Sequence, residues 1–358
     1  MPLAPLTTLG VGGPARFFLE VASEAATVAA LAWAHEAGHP VVVLGGGSNV
    51  LVADGGLDAL VLRVCIDGVE TTRWGDRVTV RAGGGEPWDP LVERAVSENW
   101  AGLECLSGIP GNVGGTPIQN VGAYGQEVSE TVVEVGAVDR NTGRIVELDG
   151  AACGFGYRDS IFKREAKDRY VVTRVAFSLV SGGPPQVRYA ELARHIGVGT
   201  AAPGLAEVRA AVLELRRRKS MVIDPTDENR RSAGSFFTNP VIDAAFAAGL
   251  RQRLAGIGLV GQGEAMPEFP AGEGRVKLSA GWLIERAGFA KGTVDGRVGL
   301  STRHALALVN KGGATAAELL AFAAKVRRGV FERFAVVLTP EPVLLGFPPE
   351  ELRELGLR

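Results

Sequence analysis

Two glycine-dense stretches, each set beside segments of strand or helix pattern, restrict this chain more than any other feature. The first, Leu44-Gly45-Gly46-Gly47-Ser48-Asn49-Val50-Leu51-Val52, follows an apolar run at 40–44 and reads as strand, cradling turn, strand. The second, Ile109-Pro110-Gly111-Asn112-Val113-Gly114-Gly115, follows a helical pattern over 88–97 and is too rich in glycine for a core element. Successive backbone amides around glycines can point together at phosphate oxygens. Spacing alone leaves that reading open beside a plain tight turn. Two nucleotide loops are disfavoured outright. A GxGxxG fingerprint fails because Val50 stands where the third glycine belongs and no helix of phosphate-facing periodicity follows. Neither stretch has the GK[ST] ending of a P-loop.

At 358 residues the chain exceeds the size at which one core keeps growing, so two or three modules are expected. Apolar residues make up 46% and the formal net charge is -2, which argues for a globular protein and against a nucleic-acid partner. The apolar runs are short and the start is not that of a signal peptide, so no membrane association and a cytoplasmic location are expected. Cys65, Cys105 and Cys153 are odd in number and far apart, which fits buried free thiols and neither a disulfide framework nor a zinc site. His35, His39, His195 and His304 form no ligand motif, so no metal is expected.

Along the chain, 24–37 reads as a helix and 60–64 and 77–82 as strands. Further strands are expected at 132–138, 145–148 and 171–179, with Gly156-Tyr157-Arg158-Asp159-Ser160 in a loop between two of them. Val208, Val212 and Leu215 recur at helical intervals over 205–219, and Arg216, Arg217, Arg218 and Lys219 load the helix's C-terminal end, where cations suit the helix dipole. A domain boundary is expected next. Thr315 with Glu318 forms a capping-box pattern ahead of Leu319, Phe322, Val326 and Val330. Residues 334–338 have strand composition, and Pro340 would end that strand where Glu341 appears.

Two glycine loops about sixty residues apart suit an extended dinucleotide held at several points along its pyrophosphate, a demand that FAD fits. Beyond this, Thr7-Thr8-Leu9-Gly10-Val11-Gly12-Gly13, both glycine stretches, Gln119-Asn120-Val121-Gly122-Ala123-Tyr124-Gly125 and Phe155-Gly156-Tyr157-Arg158-Asp159-Ser160 resemble the UDP-N-acetylenolpyruvoylglucosamine reductase family. Ala233-Gly234-Ser235-Phe236-Phe237-Thr238-Asn239-Pro240, Lys277-Leu278-Ser279-Ala280-Gly281-Trp282-Leu283-Ile284 and Leu338-Thr339-Pro340-Glu341 resemble its later motifs in the same order, so the likeness spans nearly the whole chain.

The resemblance implies an α+β protein: a vanillyl-alcohol-oxidase-type (PCMH-like) FAD-binding module of two subdomains, at 1–70 and 71–220, followed by an α+β substrate-binding domain at 221–330. A C-terminal segment, 331–358, would return to the active site. FAD would be non-covalent, since neither glycine stretch contains a histidine, and would be contacted by Gly45, Gly46, Gly47, Ser48, Asn49, Pro110, Gly111, Gly114, Gly115 and Gly122. At Gly115-Thr116 some relatives carry two hydroxyl residues, so here the backbone must serve at Gly115.

The implied reaction adds hydride from reduced flavin to the vinyl carbon of an enolpyruvyl sugar nucleotide, with NADPH as reductant. Arg158 would stabilise the charge growing on the substrate carboxylate, Ser235 would deliver the proton, and Glu341 would act with Arg158, either protonated or neutralised by it. Tyr124, Tyr189, Lys219 and Asn239 would contact the sugar nucleotide, Tyr189 marking the larger subgroup of the family, and the protein would be a monomer or weak dimer. Without the resemblance the residues allow plainer readings: a surface ion pair for Arg158, a turn or cap for Ser235, a helix-end charge for Lys219, a surface aromatic for Tyr189 and a turn residue for Asn239. Two other functions remain in view, another flavin oxidoreductase on the same module and a catalytically silent nucleotide-sugar binding protein. The later motifs weigh against the first, and the presence of Arg158, Ser235 and Glu341 weighs against the second.

Overall fold

The computed structural model describes residues 1–197, 202–259 and 265–357, apart from the side chain of Glu354. The chain divides into two compact units, one made of Met1, 15–48 and 57–223, the other of 2–14, 49–56 and 224–358.

In the first unit, strand Ala15–Val21, helix Glu24–Glu36 and strand Val41–Leu44 form a crossover, with both strands pairing in parallel to Leu57–Val64 between them. The helix starts where Ser23 Oγ accepts from the Ala26 amide at 3.1 Å, a cap whose loss typically costs about 1 kcal/mol. Its Ala30, Leu31 and Ala34 pack with Val21, Leu60, Leu62 and Val64. The larger sheet is antiparallel. Its order is Ile145–Asp149, Val132–Asp139, Tyr170–Ser181, Arg77–Gly83 and Val69–Trp74, and the short strand Trp100–Ala101 joins the end of Tyr170–Ser181. Tyr170–Ser181 is the twelve-residue central strand, buried through most of its length. Helix Trp88–Ser97 lays Trp88, Leu91, Val92 and Ala95 over this sheet. The Trp88 ring stands 5.6 Å from that of Phe177, and its Nε1 donates to the Leu106 carbonyl at 3.1 Å, so the buried indole leaves no unmet donor. Helix Leu205–Arg218 packs Val208, Ala211, Val212 and Leu215 against Cys105 and Leu192.

The second unit is built round helix Ala316–Phe334 and a core that includes Phe236, Phe237, Leu283, Leu300, Leu319 and Val330. The expected capping box is present: Thr315 Oγ1 accepts from the Glu318 amide at 3.2 Å and Glu318 accepts from the Thr315 amide at 2.8 Å. Asp54 adds a second acceptor there, taking the amides of Ala316 and Ala317 at 2.8 and 2.9 Å. The early glycines are explained by close backbone approach. A Cβ on Gly13 would lie 2.2 Å from the Asp54 carbonyl oxygen, and one on Gly56 2.0 Å from that of Pro14.

The strand expected at 334–338 does not form. Phe334 closes the helix, Ala335 caps it in the left-handed region at φ +56°, and Val336 and Leu338 bury their side chains in the core without joining a ladder. Apolar composition there reflects burial of side chains, which composition alone cannot separate from strand pairing. The strand comes later, at Val343–Leu345, parallel to Val50–Val52, so Glu341 lies just before a strand and not at the end of one. The segments flanking Gly45 to Asn49 likewise belong to different sheets: Val41–Leu44 pairs with Leu57–Val64, and Val50–Val52 with Val343–Leu345. All three cysteines are free, Cys105 and Cys153 buried and Cys65 half-buried. No helix among the described residues is long and apolar enough to cross a membrane.

Candidate active site

In the first unit the two glycine loops clasp one another. Ser48 Oγ donates to the Pro110 carbonyl at 3.1 Å, and a Cβ on Gly46 would stand 2.8 Å from Gly111 Cα. Gly47, Gly108 and Gly111 take φ of +64°, +72° and +120°, conformations that only glycine adopts without strain. Gly114 is packed at its back, where a Cβ would meet the Gly84 carbonyl at 2.9 Å. Gly45 and Gly115 differ: a Cβ on either would meet no protein atom within 4 Å. The loops are therefore tight where they touch each other and bare where backbone can approach a ligand, which fits the flat, phosphate-bearing FAD. Thr116, the hydroxyl residue after Gly115, is buried and donates to the Val113 carbonyl at 2.8 Å.

Arg158 sits in a tight loop closed by reciprocal backbone hydrogen bonds between Gly156 and Asp159 at 2.9 and 3.2 Å. Its φ of +53° is costly for a side chain of this size, on the order of 1–3 kcal/mol, and is held by contacts on both sides. Nη2 donates to the Gly122 carbonyl at 2.7 Å, and Lys163 Nζ donates to the Arg158 carbonyl at 2.8 Å. The guanidinium carbon stands 5.6 Å from the Tyr157 ring centroid. Asn120, left-handed at φ +45°, ties the loop to its neighbour by donating to the Gly156 carbonyl at 2.9 Å and to Glu127 at 2.7 Å. Tyr124, also left-handed at φ +49°, meets Tyr189 edge-on at 5.6 Å. Burial pushes the Tyr124 phenol up to about 12 and raises that of Tyr189, so both remain hydrogen-bond donors at neutral pH. Lys219 Nζ binds Glu191, two residues past Tyr189, at 2.7 Å.

Arg216, read from the sequence only as one of four helix-end cations, has a different place in the folded chain. Within a run of helix-end cations it is the one turned inward, 5% exposed, and burial brings its guanidinium down to about 10, against the opposing pull of Tyr124 and Asp89. Nη2 donates to the Met221 carbonyl at 2.7 Å, while Nε has no hydrogen-bond partner among the described residues and lies 3.3 Å from where a Gly108 Cβ would be. Its burial was foreshadowed only by helical phase, since it follows Val208, Val212 and Leu215 on one face.

In the second unit, Ser235 follows Gly234 at φ +68° and precedes Phe236, whose amide donates to the Leu306 carbonyl at 2.7 Å. The Glu341 amide donates to the Phe236 carbonyl at 2.9 Å, the Thr238 amide to the Thr339 carbonyl at 3.0 Å, and Phe237 and Pro340 form an antiparallel bridge. These bonds bring the Ser235 and Glu341 segments side by side. Asn49 belongs here too, its Nδ2 donating to the Glu341 carbonyl at 3.3 Å and its own carbonyl accepting from the Val343 amide at 3.0 Å. Asn239 Oδ1 accepts from the Ala280 amide at 2.9 Å, which occupies that oxygen at a helix start. His304 places Nε2 3.3 Å from Ser235 Oγ, a pairing with no motif to announce it.

A family model for the UDP-N-acetylenolpyruvoylglucosamine reductase C-terminal domain matches residues 224–345, and one for an FAD binding domain matches residues 15–149. The UDP-N-acetylenolpyruvoylglucosamine reductase of Thermobifida fusca is 52% identical over 97% of this chain and 97% of its own length. The chain belongs to the UDP-N-acetylenolpyruvoylglucosamine reductase family. The Streptomyces coelicolor member is 49% identical over 96% of this chain and 89% of its own. Among solved structures, the Thermus caldophilus enzyme matches with a TM-score of 0.63 at 26% identity, covering 96% of this chain and 97% of that one. The chain is thus an α+β oxidoreductase of this family, with an FAD binding domain ahead of the family's C-terminal domain.

Proposed function

We propose that this chain reduces the enolpyruvyl ether of UDP-N-acetylglucosamine to UDP-N-acetylmuramate at the expense of NADPH, in the cytoplasm, as a monomer or weak dimer. The observation that carries the reading is the family relation at 52% identity over 97% of the chain. When bound, FAD would supply the two-electron chemistry that links oxidation of NADPH to reduction of the vinyl group. Gly45, Gly46, Gly47, Ser48, Asn49, Pro110, Gly111, Gly114, Gly115 and Gly122 serve the flavin nucleotide, mainly through backbone amides.

Arg158 offers a planar cation to the substrate carboxylate, where negative charge grows as the reaction proceeds, and so favours the transition state over the ground state. Its hold on the Gly122 carbonyl fixes the guanidinium before substrate arrives, which supports that role. Ser235 delivers the proton to the carbon next to the carboxylate; serine is a weak acid, so alignment matters more than acidity. An ionised carboxylate would repel the growing charge, so Glu341 acts in neutralised form. Tyr124 and Tyr189 as donors, Lys219 as a cation and Asn239 through its amide bind the sugar nucleotide.

Visible spectroscopy of the purified protein, followed by NADPH oxidation with and without the enolpyruvyl sugar nucleotide, tests the reading. Oxidation that depends on the sugar nucleotide in equal amounts is the expected result. Oxidation that proceeds without it, reducing oxygen, would make the chain a different flavin oxidoreductase. A yellow protein inert to both would make it a silent binder.

A further inference from the structure

Ser235 has a titratable neighbour that its motif does not include. His304 Nε2 lies 3.3 Å from Ser235 Oγ, from a position 69 residues further along the chain. The imidazole is not held by chance. Its turn is built on Ser301, a buried residue whose Oγ accepts from the amides of both Arg303 and His304 at 3.1 and 3.2 Å. The turn is closed by the Ser301 amide donating to the Ala307 carbonyl at 2.8 Å and the Ala307 amide to the His304 carbonyl at 3.1 Å. The next residue back in that turn, Leu306, accepts from the amide of Phe236, directly after Ser235, at 2.7 Å. One backbone hydrogen bond therefore ties the histidine's turn to the serine's own peptide segment, and the two side chains meet across it.

We propose that His304 is the positioning residue behind Ser235, and that it returns a proton to the serine oxygen as the serine proton leaves for substrate. The inference rests on the reading of Ser235 as proton donor. A serine hydroxyl that gives up its proton unaided becomes an alkoxide, which is far too basic to form readily at neutral pH. With the imidazolium in place, the Oγ–H bond breaks as the new C–H bond forms on the substrate carbon, and the Nε2 proton moves onto Oγ. Serine ends neutral, the substrate gains one proton, and His304 ends as neutral imidazole, to be reprotonated by water. Imidazole titrates near neutrality, so it can carry this proton without a large cost in either direction. The charged groups on and bonded to its turn are Arg303, Asp227 at 3.7 Å from Arg303, and Glu228, which accepts from Thr302 at 2.7 Å, while Glu341 joins the Ser235 segment through its amide bond to the Phe236 carbonyl.

The test compares His304→Gln, which can keep a donor near the Nε2 position but cannot titrate, with His304→Ala and Ser235→Ala in the flavin-loaded enzyme. Stopped-flow absorbance follows reduction by NADPH and reoxidation by the enolpyruvyl sugar nucleotide separately, from about pH 5.5 to 9. Reduction is expected to be unchanged in all three. Reoxidation in the unaltered enzyme should slow as pH rises through the imidazole titration. His304→Gln should abolish that pH dependence, and His304→Ala should slow reoxidation by about ten- to a hundredfold, with partial recovery on adding imidazole. Reoxidation with the normal pH profile in His304→Gln overturns the inference, and so does equal slowing of both half-reactions in His304→Ala. If Ser235→Ala reoxidises normally, the serine reading itself is wrong; if it fails while both His304 variants behave as the unaltered enzyme, only the relay is wrong. A readout free of turnover guards against variants that do not fold: the imidazole nitrogen resonances of His304 should shift and titrate differently once Ser235 becomes alanine, and unchanged resonances would count against the pairing.

Discussion

The Arg158 side chain donates to the Gly122 carbonyl at 2.7 Å while its own carbonyl accepts from Lys163 at 2.8 Å, so a residue in a strained backbone conformation is fixed at both ends. Gly122 cannot be larger without disturbing this, since a Cβ there would stand 3.1 Å from Arg158 Nη1 and 2.8 Å from Glu127 Cγ. The arrangement orders a cation before any anion meets it, and that preorganisation is the physical basis of the first prediction.

Arg158→Lys keeps the charge but loses the planar fork and the second donor direction. Reoxidation of reduced flavin by the enolpyruvyl substrate should fall by about a hundred- to a thousandfold, while flavin reduction by NADPH persists. Single-turnover absorbance at the flavin band measures both. Equal loss in the two half-reactions would place Arg158 in the structure of the loop and not in the chemistry.

Ser235→Ala should separate the half-reactions in the same way. Loss of a positioned acid typically costs about a hundred- to ten-thousandfold, and that loss should appear only in reoxidation. Cysteine at 235 should restore part of the rate. A variant slowed in neither step would leave Ser235 a turn residue, with the proton coming from elsewhere.

The two glycine loops make a paired prediction about FAD, which should be non-covalent and released as a yellow supernatant by acid precipitation. Gly45→Ala adds a methyl that meets no protein atom within 4 Å, so the flavin-free protein should unfold within about 0.5 kcal/mol of normal while flavin affinity drops. Gly46→Ala drives a methyl into Gly111 Cα at 2.8 Å and should weaken the flavin-free fold itself, by about 1–3 kcal/mol. Denaturant melts of the flavin-free protein, set beside flavin titrations, distinguish the two. Gly45→Ala binding FAD as tightly as the normal chain would remove that loop from the cofactor site.

Asp89 links stability to acid pH. Burial alone would raise its carboxyl, but the Arg209 hydrogen bond, the Gly108 amide and the charges of Arg209 and Arg216 outweigh that and hold it below the usual 3.8. Arg209 reaches it at 2.6 Å and the Gly108 amide at 2.6 Å, so the carboxylate anchors the start of the second glycine loop. Because the folded value is depressed, this contribution is fully present above the unfolded aspartate range and is lost as pH falls through the folded value. Asp89→Asn should therefore be less stable than the normal chain at pH 7, with the gap narrowing below about pH 4 in denaturant melts. A gap that stayed constant down to pH 2 would show that the ion pair contributes nothing to the fold.

Much of the local structure was legible in the chain. Helices Trp88–Ser97, Leu205–Arg218 and Ala316–Phe334, and strands Val132–Asp139 and Tyr170–Ser181, lie where short-range periodicity puts them. Their signals repeat every two to four residues, and a cap such as Thr315 with Glu318 is complete within one turn, so the sequence determines them by itself. The family likeness was legible for a related reason: glycines at positive φ and residues such as Arg158 sit in short loops whose geometry depends on their immediate neighbours. Tertiary structure decided the rest. Only the folded chain groups 2–14 and 49–56 with 224–358, and pairs Val343–Leu345 with Val50–Val52. The Asn49 to Glu341 bond spans 292 residues, and the Ser235 to His304 contact spans 69. Such pairings leave no periodic trace, because any apolar strand can satisfy any free edge and a histidine in a turn looks the same whether or not a serine faces it. Whether Arg216 points to water or into the core was settled in the same way, by which side of its helix the rest of the chain happened to cover.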